Sequence, residues 1–270
     1  MEGGCEMIAR LKERFTALIL DTETHFKSEH NKLIYHIGWV KGDIREPSHP
    51  RDRREYYVKE FLPFDYWQHS YVDKITKTRK FWKLDDRANE VSQRAFDNPK
   101  LVKSWDYIIK RLKFDASQCH GIGSYNWSFD SSAIDVTNRK INHTGVIKTF
   151  DTPPFCLLDC YANLIINKDY FKFIDSLNST EVENYLSKSG KNLGYSAEIM
   201  ARYMMQHHDY VEAHTALEDA TVEFELAEYF VTKHYKVFKK EYLGNPRFIS
   251  WQKIKNRLTA KEKNAQRKLI

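Results

Sequence analysis

Phe15-Thr16-Ala17-Leu18-Ile19-Leu20 is an apolar run that ends in Asp21-Thr22-Glu23. On a strand successive side chains alternate, so Phe15, Ala17, Ile19, Asp21 and Glu23 share one face while Leu18 and Leu20 fill the other. A strand apolar on both faces is central and covered on both sides. Its end should not carry two carboxylates on one face without a balancing cation, because desolvating paired anions is costly. A divalent metal with oxygen ligands, Mg²⁺ or Mn²⁺, is the simplest such cation. Taken alone, an Asp-x-Glu is also compatible with two solvated acids at a strand end.

Two later segments change the balance. Ser124-Tyr125-Asn126-Trp127-Ser128-Phe129-Asp130 follows the strand-like Cys119–Gly123, and His214-Thr215-Ala216-Leu217-Glu218-Asp219 opens a helical pattern. Asp-x-Glu, Asn-x-x-Phe-Asp and His-x-Ala-x-x-Asp in this order resemble the DEDD superfamily of 3′→5′ exonucleases, in its DEDDh (DnaQ-like) branch. The resemblance covers about residues 14–232. The stretch from Asp21-Thr22-Glu23-Thr24 to Leu33-Ile34-Tyr35-His36-Ile37-Gly38-Trp39-Val40 also resembles the family's D-T-E-T-T-G…I-x-E-I-G-A-V pattern. His25 and Phe26 stand where Thr-Gly is usual, and His36 where Glu is usual.

The resemblance implies an α/β fold: a ribonuclease H-like mixed sheet, three antiparallel strands and then parallel strands, flanked by helices. It implies a metal-dependent 3′→5′ exonuclease that releases nucleoside 5′-monophosphates, with two divalent ions as cofactors. Asp21, Glu23 and Asp219 would hold the ion that carries the attacking water. Asp21 would bridge to a second ion, supported by Asp130 directly or through water, that faces the leaving 3′ oxygen. His214 would be the general base. Thr22, Thr24, Phe26, Asn126 and Phe129 would contact or frame the terminal nucleotide. Phe26 has the alternatives of stacking on a base or joining the core. Glu218 reads as a helix-surface acid, and His207-His208-Asp209 as a polar turn. Residues five apart on a regular helix lie about 140° from each other at ~100° per residue, so His214 and Asp219 cannot both face one centre from one straight helix. His214 is therefore expected on the loop or first turn ahead of Asp219.

The pattern predicts strands over 14–23, 33–42 and 55–62, joined by turns at Gly42-Asp43 and Pro47–Arg54 as an antiparallel meander. Helices are expected over 86–113 with a break at Pro99, from Ser128 (as N-cap) to Lys140, and over 155–167, 193–206 and 212–234; a further strand is expected over 117–125. Residues 65–85 combine aromatics with bases, suiting either single-stranded nucleic acid or core packing. Residues 168–192 read as a polar connection. The expected organisation is an exonuclease domain over 1–236 with insertions near 65–85 and 168–192, then a basic helical tail over 237–270.

At 270 residues, 41% apolar and 30% charged, the chain can bury a full core. It has no apolar run near the ~20 residues that span a bilayer. Its first residues lack a secretory pattern, so a cytoplasmic location, its own or a host cell's, is expected. Cys156 and Cys160, at i and i+4, are expected on one helix face in the core rather than on zinc. The formal charge of +6 is uneven: Lys239–Ile270 carries ten Lys/Arg and two Asp/Glu, a net +8 that leaves about −2 for the rest. Such a tail either raises affinity for phosphate backbones or is a solvated helix. The expected partners are single-stranded DNA or DNA 3′ ends, with RNA as the alternative substrate. A polymerase-partner module without catalysis is the competing class. If the motifs were accidental, Asp21, Asp130 and Asp219 would be scattered in space.

Overall fold

The computed structural model describes residues 15–24, 32–62, 70–72, 79–81, 93–166, 169–186 and 194–234. Phe26, most of the 65–85 segment and the basic tail lie outside the described residues.

β1 (Thr16–Thr24), β2 (Ile34–Asp43) and β3 (Asp52–Val58) form the expected antiparallel meander. β3 lies further toward the N-terminus than the sequence pattern placed it, because Asp52, Arg53 and Arg54 pair with Lys41, Val40 and Trp39 before the chain turns after Val58. β4 (Ser70–Val72) and β5 (Arg79–Phe81) pair separately as a two-stranded antiparallel ribbon. The 86–113 region divides at Pro99, as a break there predicts. Residues 93–97 are helical, Pro99–Leu101 is a 3₁₀ turn, and β6 (Val102–Lys103) adds a short parallel strand beside β3. The next helix, α1 (Trp105–Ser117), starts at Ser104, whose side chain accepts from Tyr107 N–H, and continues past the expected end. Asp115 in its last turn is buried and accepts a hydrogen bond from Trp39 Nε1 at 3.1 Å. Consequently β7 begins only at Gly121 and runs to Ser124, parallel to β1.

α2 (Trp127–Asn142) starts one residue before the expected N-cap. Asn126 holds the cap position, and its carbonyl accepts from Phe129 N and Asp130 N. β8 (Pro154–Cys156) is a parallel edge strand that takes the place of the expected start of the 155–167 helix. Proline at the first residue of an edge strand fits, because no ladder hydrogen bond is needed from its nitrogen. α3 (Leu157–Ile166) follows, so Cys156 closes a strand and does not share a helix face with Cys160; both are nevertheless buried. The supposed polar connection contains α4 (Asp169–Ser176) and α5 (Ser179–Glu183), and Tyr170 and Tyr185 from it are buried. α6 (Ala197–Met205) is capped by Ser196 and ends at Gln206 with φ 50°. α7 (Ala216–His234) completes the described chain and starts four residues later than its apolar pattern.

The six-stranded sheet has the order β6-β3-β2-β1-β7-β8, with β1 central. Helices cover both faces. Ala17 and Ile19 pack with Phe224, Ala227 and Phe230 of α7 on one side. Leu18 and Leu20 pack with Trp105, Ile108 and Leu112 of α1 and Ile134 of α2 on the other. This is the ribonuclease H-like arrangement: a mixed sheet, antiparallel then parallel, between helical layers. Among the described residues no helix is long and apolar enough to cross a membrane.

Candidate metal centre

Strand alternation places Asp21 and Glu23 on the α7 side of β1, and α7 presents Asp219 to them. One oxygen from each of Asp21, Glu23 and Asp219 lies within 4.8 Å of the other two. α7 can come this close because β2 carries Gly38 where the helix begins. A β-carbon there would stand 2.6 Å from Ala216 C and Leu217 Cα and closer still to Leu217 N. No side chain fits that gap.

Asp130 arrives from the other layer. It is buried near the start of α2, and its Oδ1 accepts the Thr22 hydroxyl at 2.7 Å. Thr22 faces away from the trio, so this bond clamps α2 to the end of β1. Asp130 stands outside the trio but near enough to Asp21 to act on its charge. Burial pushes the Asp130 carboxyl up to about 6, against the opposing hydrogen bonds from Thr22. Asp21 is held well above the usual carboxylate range, first by burial and then by Glu223, Asp130, Glu23 and Asp219. All five influences act in the same direction. A partly buried acid pressed by four neighbouring acids suits a hard divalent cation with oxygen ligands, and the donor set fits one.

Glu223 is the residue that the motifs did not reveal. It lies one helical turn after Asp219 and is buried, and its Oε2 accepts Tyr125 N–H at 2.9 Å. Burial, then Asp130, raises its carboxyl well above the ordinary value. The signal available in the sequence is its i, i+4 spacing from Asp219, which puts both on one face of α7. Its bond to Tyr125 fixes the corner between β7 and α2 from which Asn126, Phe129 and Asp130 project.

His214 stands ahead of α7 in left-handed backbone, φ 58°, which explains why helical geometry begins only at Ala216. Its N–H donates to Asp219 Oδ1 at 3.2 Å, and its ring is 47% exposed with Nδ1 3.8 Å from Glu212 Oε2. The loop position expected from the five-residue spacing is thus the one observed. Thr215 and Glu218 are hydrogen-bonded side chain to side chain, in the Thr-x-x-Glu spacing of a capping box. Glu218 also lies 3.6 Å from Arg94 and stays outside the trio. His207 and His208 lie in the turn after α6, where His208 Nδ1 pairs with the Tyr185 hydroxyl at 2.7 Å.

His36 is buried on β2, opposite Glu23 in the sheet register. Its Nε2 is 2.9 Å from Glu55 Oε1, its Nδ1 accepts Ala216 N–H at 3.4 Å, and its ring stacks on Tyr57 at 4.5 Å. Burial lowers its pKa, and the hydrogen bond from His36 lowers that of Glu55. The pair is a neutral imidazole donating to a carboxylate, and it holds the first turn of α7 from the sheet side. Of the remaining predicted site residues, Thr24 is buried beyond the bulge that follows Glu23. Asn126 is exposed, and Phe129 is half-buried with Lys32 Nζ 4.6 Å from its ring centroid.

Fold and site together define a ribonuclease H-like α/β protein with a carboxylate centre at the end of its central strand. Neither a protein-family profile nor any curated protein matches the chain. Among solved structures it is similar to Escherichia coli exonuclease I in complex with a 5cy-dT13 oligonucleotide (15% identity, 83% of this chain and 42% of that chain, TM-score 0.47). It is also similar to exonuclease I of Methylocaldum szegediense (10%, 83% and 42%, 0.46) and to Schizosaccharomyces pombe Pop2p in its Mg²⁺- and Mn²⁺-bound form (11%, 92% and 96%, 0.46). The chain thus spans well under half of either exonuclease I chain.

Proposed function

We propose that this protein is a divalent-metal-dependent 3′→5′ exonuclease that hydrolyses phosphodiester bonds of single-stranded DNA and releases nucleoside 5′-monophosphates. The observation that carries the reading is the convergence of Asp21, Glu23 and Asp219 within 4.8 Å, with Asp130 buried alongside. Accidental motifs would leave these acids scattered, and they are not. The proposal assigns Asp21, Glu23 and Asp219 to hold one Mg²⁺ or Mn²⁺ and Asp130 to support a second. Bound divalent ions supply charge neutralisation at the phosphate and activation of the nucleophile.

The chain's own residues supply the rest. His214 takes the proton from the attacking water as a neutral imidazole. Its loop is tied to Asp219 through its own N–H, so the base and the carboxylate are positioned together. The Thr22–Asp130 and Tyr125–Glu223 bonds hold the second wall of the site at fixed distance from β1. Asn126 and Phe129, at the open end of α2, frame the terminal nucleotide. The test is product analysis on matched 5′-labelled DNA and RNA oligomers. Shortening by single nucleotides from the 3′ end with Mg²⁺ or Mn²⁺, abolished by chelator and faster on DNA, is expected. Cleavage that persists in chelator, or internal cuts only, refutes the reading; faster shortening of RNA moves the substrate to that class.

A further inference from the structure

We infer that the outward face of α1 is a second contact surface for single-stranded nucleic acid, holding the strand upstream of the 3′ end. The inference deepens the exonuclease reading and rests on it for the strand's polarity. α1 buries Trp105, Ile108, Ile109, Leu112 and Ala116. Its opposite stripe is Tyr107, Lys110, Arg111 and Phe114, at i, i+3, i+4 and i+7. An outward helical stripe is ordinarily polar throughout, yet here the Tyr107 and Phe114 side chains are 47% and 53% exposed.

Each exposed ring has a cation over it. Lys103 Nζ is 5.7 Å from the Tyr107 ring centroid, and Arg111 Cζ is 5.1 Å from that of Phe114. A third pair, Lys113 over Phe150 at 5.8 Å, borders the same stripe. Of the five cation–π pairs found among the described residues, two therefore lie on this stripe and a third at its border. Asp115 in the helix's last turn is buried and shared among three cations, Arg111, Lys41 and Arg54 at 2.9, 3.8 and 3.6 Å, so it offsets only one of their charges. Exposed aromatic faces interleaved with cations match a single strand, whose bases stack and whose phosphates pair. Tyr107, Arg111 and Phe114 are residue types that protein interfaces also favour, so the preference for a phosphate-bearing strand rests on Lys103 and Lys110, a type depleted at protein interfaces.

The sheet register sets where this surface begins. Glu23 lies opposite His36, His36 opposite Tyr57, and Tyr57 opposite Val102. Lys103 is thus level with the carboxylate centre, three strands across, roughly 14 Å at ~4.8 Å per strand. From there α1 runs back along the other face of the sheet toward the start of β7. Tyr107 and Phe114 are about 10 Å apart along the axis at 1.5 Å per residue. The stripe therefore lies on the opposite face of the sheet from the trio, starts at the level of the proposed site and leads away from it. The helix presenting it is firmly seated, with Glu60 accepting Trp105 N–H at 3.0 Å.

Binding of dT3 and dT20 is measured with Ca²⁺ in place of Mg²⁺, for wild type, Lys110→Glu/Phe114→Ala and Phe114→Trp. Both positions are exposed, and thermal melting confirms that the variants fold. The double variant is expected to bind dT20 about 5- to 150-fold more weakly, the worth of one stacked base. Its salt slope should fall by about 1 for each phosphate that the variant no longer neutralises, with dT3 affinity unchanged. The tryptophan in Phe114→Trp is expected to be quenched by dT20 and not by dT3. Unchanged dT20 affinity and slope, or equal losses on both oligomers, overturns the inference; the first result leaves the face to a protein partner. Absence of 3′ shortening beside intact dT20 quenching would refute the exonuclease reading and leave this surface standing.

Discussion

Replacing Gly38 by alanine tests whether the closeness of α7 to the sheet sets the geometry of the site. The added β-carbon would meet Ala216 C and Leu217 Cα at 2.6 Å, whereas ordinary contact begins at 3.4 Å. The obstructing atoms are backbone and cannot rotate away, so the first turn of α7 must retreat by nearly 1 Å. That turn carries Asp219, anchors the His214 loop and donates to His36 at an already long 3.4 Å. Overpacking of this size costs about 1–3 kcal/mol, or roughly 2–12 °C in Tm at 2–4 °C per kcal/mol. A displacement of about 1 Å among reacting groups costs about 10²-fold in rate. Gly42→Ala is the control. It lies on the same face of β2, but its β-carbon would meet Phe224 Cζ at 3.0 Å and Arg51 Cγ at 3.4 Å, both on side chains that can shift. We expect Gly38→Ala to lose about 10²-fold in kcat with a lowered Tm, and Gly42→Ala to keep wild-type kcat. The assays are steady-state 3′ shortening of a labelled oligomer and thermal melting. Wild-type kcat and Tm in Gly38→Ala would show that the approach of α7 does not position the site.

His214→Ala should cost about 10²–10⁴-fold in rate while leaving Mn²⁺ affinity, read by calorimetry, unchanged; an unaltered rate with the acidic limb of the pH profile intact removes His214 from the mechanism. Glu223→Gln keeps an acceptor for Tyr125 N–H but removes a buried charge, so metal-free Tm should rise and Mn²⁺ affinity fall about 10-fold, within the range for groups that support ligands. If neither quantity moves, Glu223 is a spectator. Asp21 and Asp130 bind protons more tightly folded than unfolded, so in chelator they destabilise the protein as pH rises from about 4 through about 6 and beyond. Asp21→Asn should therefore gain stability over wild type across that window, by denaturant titration at each pH; a difference that shrinks with pH contradicts the sign.

The strands that could be read from sequence were those with burial on both faces. β1 and β2 alternate or run apolar without interruption, and their partners follow from the short connections between them. β6 and β8 were not legible, because two or three residues in a ladder leave no period to detect. Helix ends moved for local reasons: Asp115 extends α1 by anchoring Trp39, and the positive φ of His214 delays α7. The residues of the carboxylate trio could be named because motif order and spacing carry their chemistry. Glu223 and Glu55 could not, since each matters through a contact made across the fold, to Tyr125 N–H and to His36. α4 and α5 were hidden by polar composition, although Tyr170 and Tyr185 are the buried anchors of that region.

His36 bears on which ions the site can retain. Imidazole is an avid ligand for late first-row ions, and a histidine one strand away from Glu23 is well placed to draw them in. Both of its ring nitrogens are already committed, one to Glu55 and the other to Ala216 N–H. The adjacent strand therefore offers the trio no free nitrogen, and Asp21, Glu23 and Asp219 present only carboxylate oxygens to whatever cation they hold.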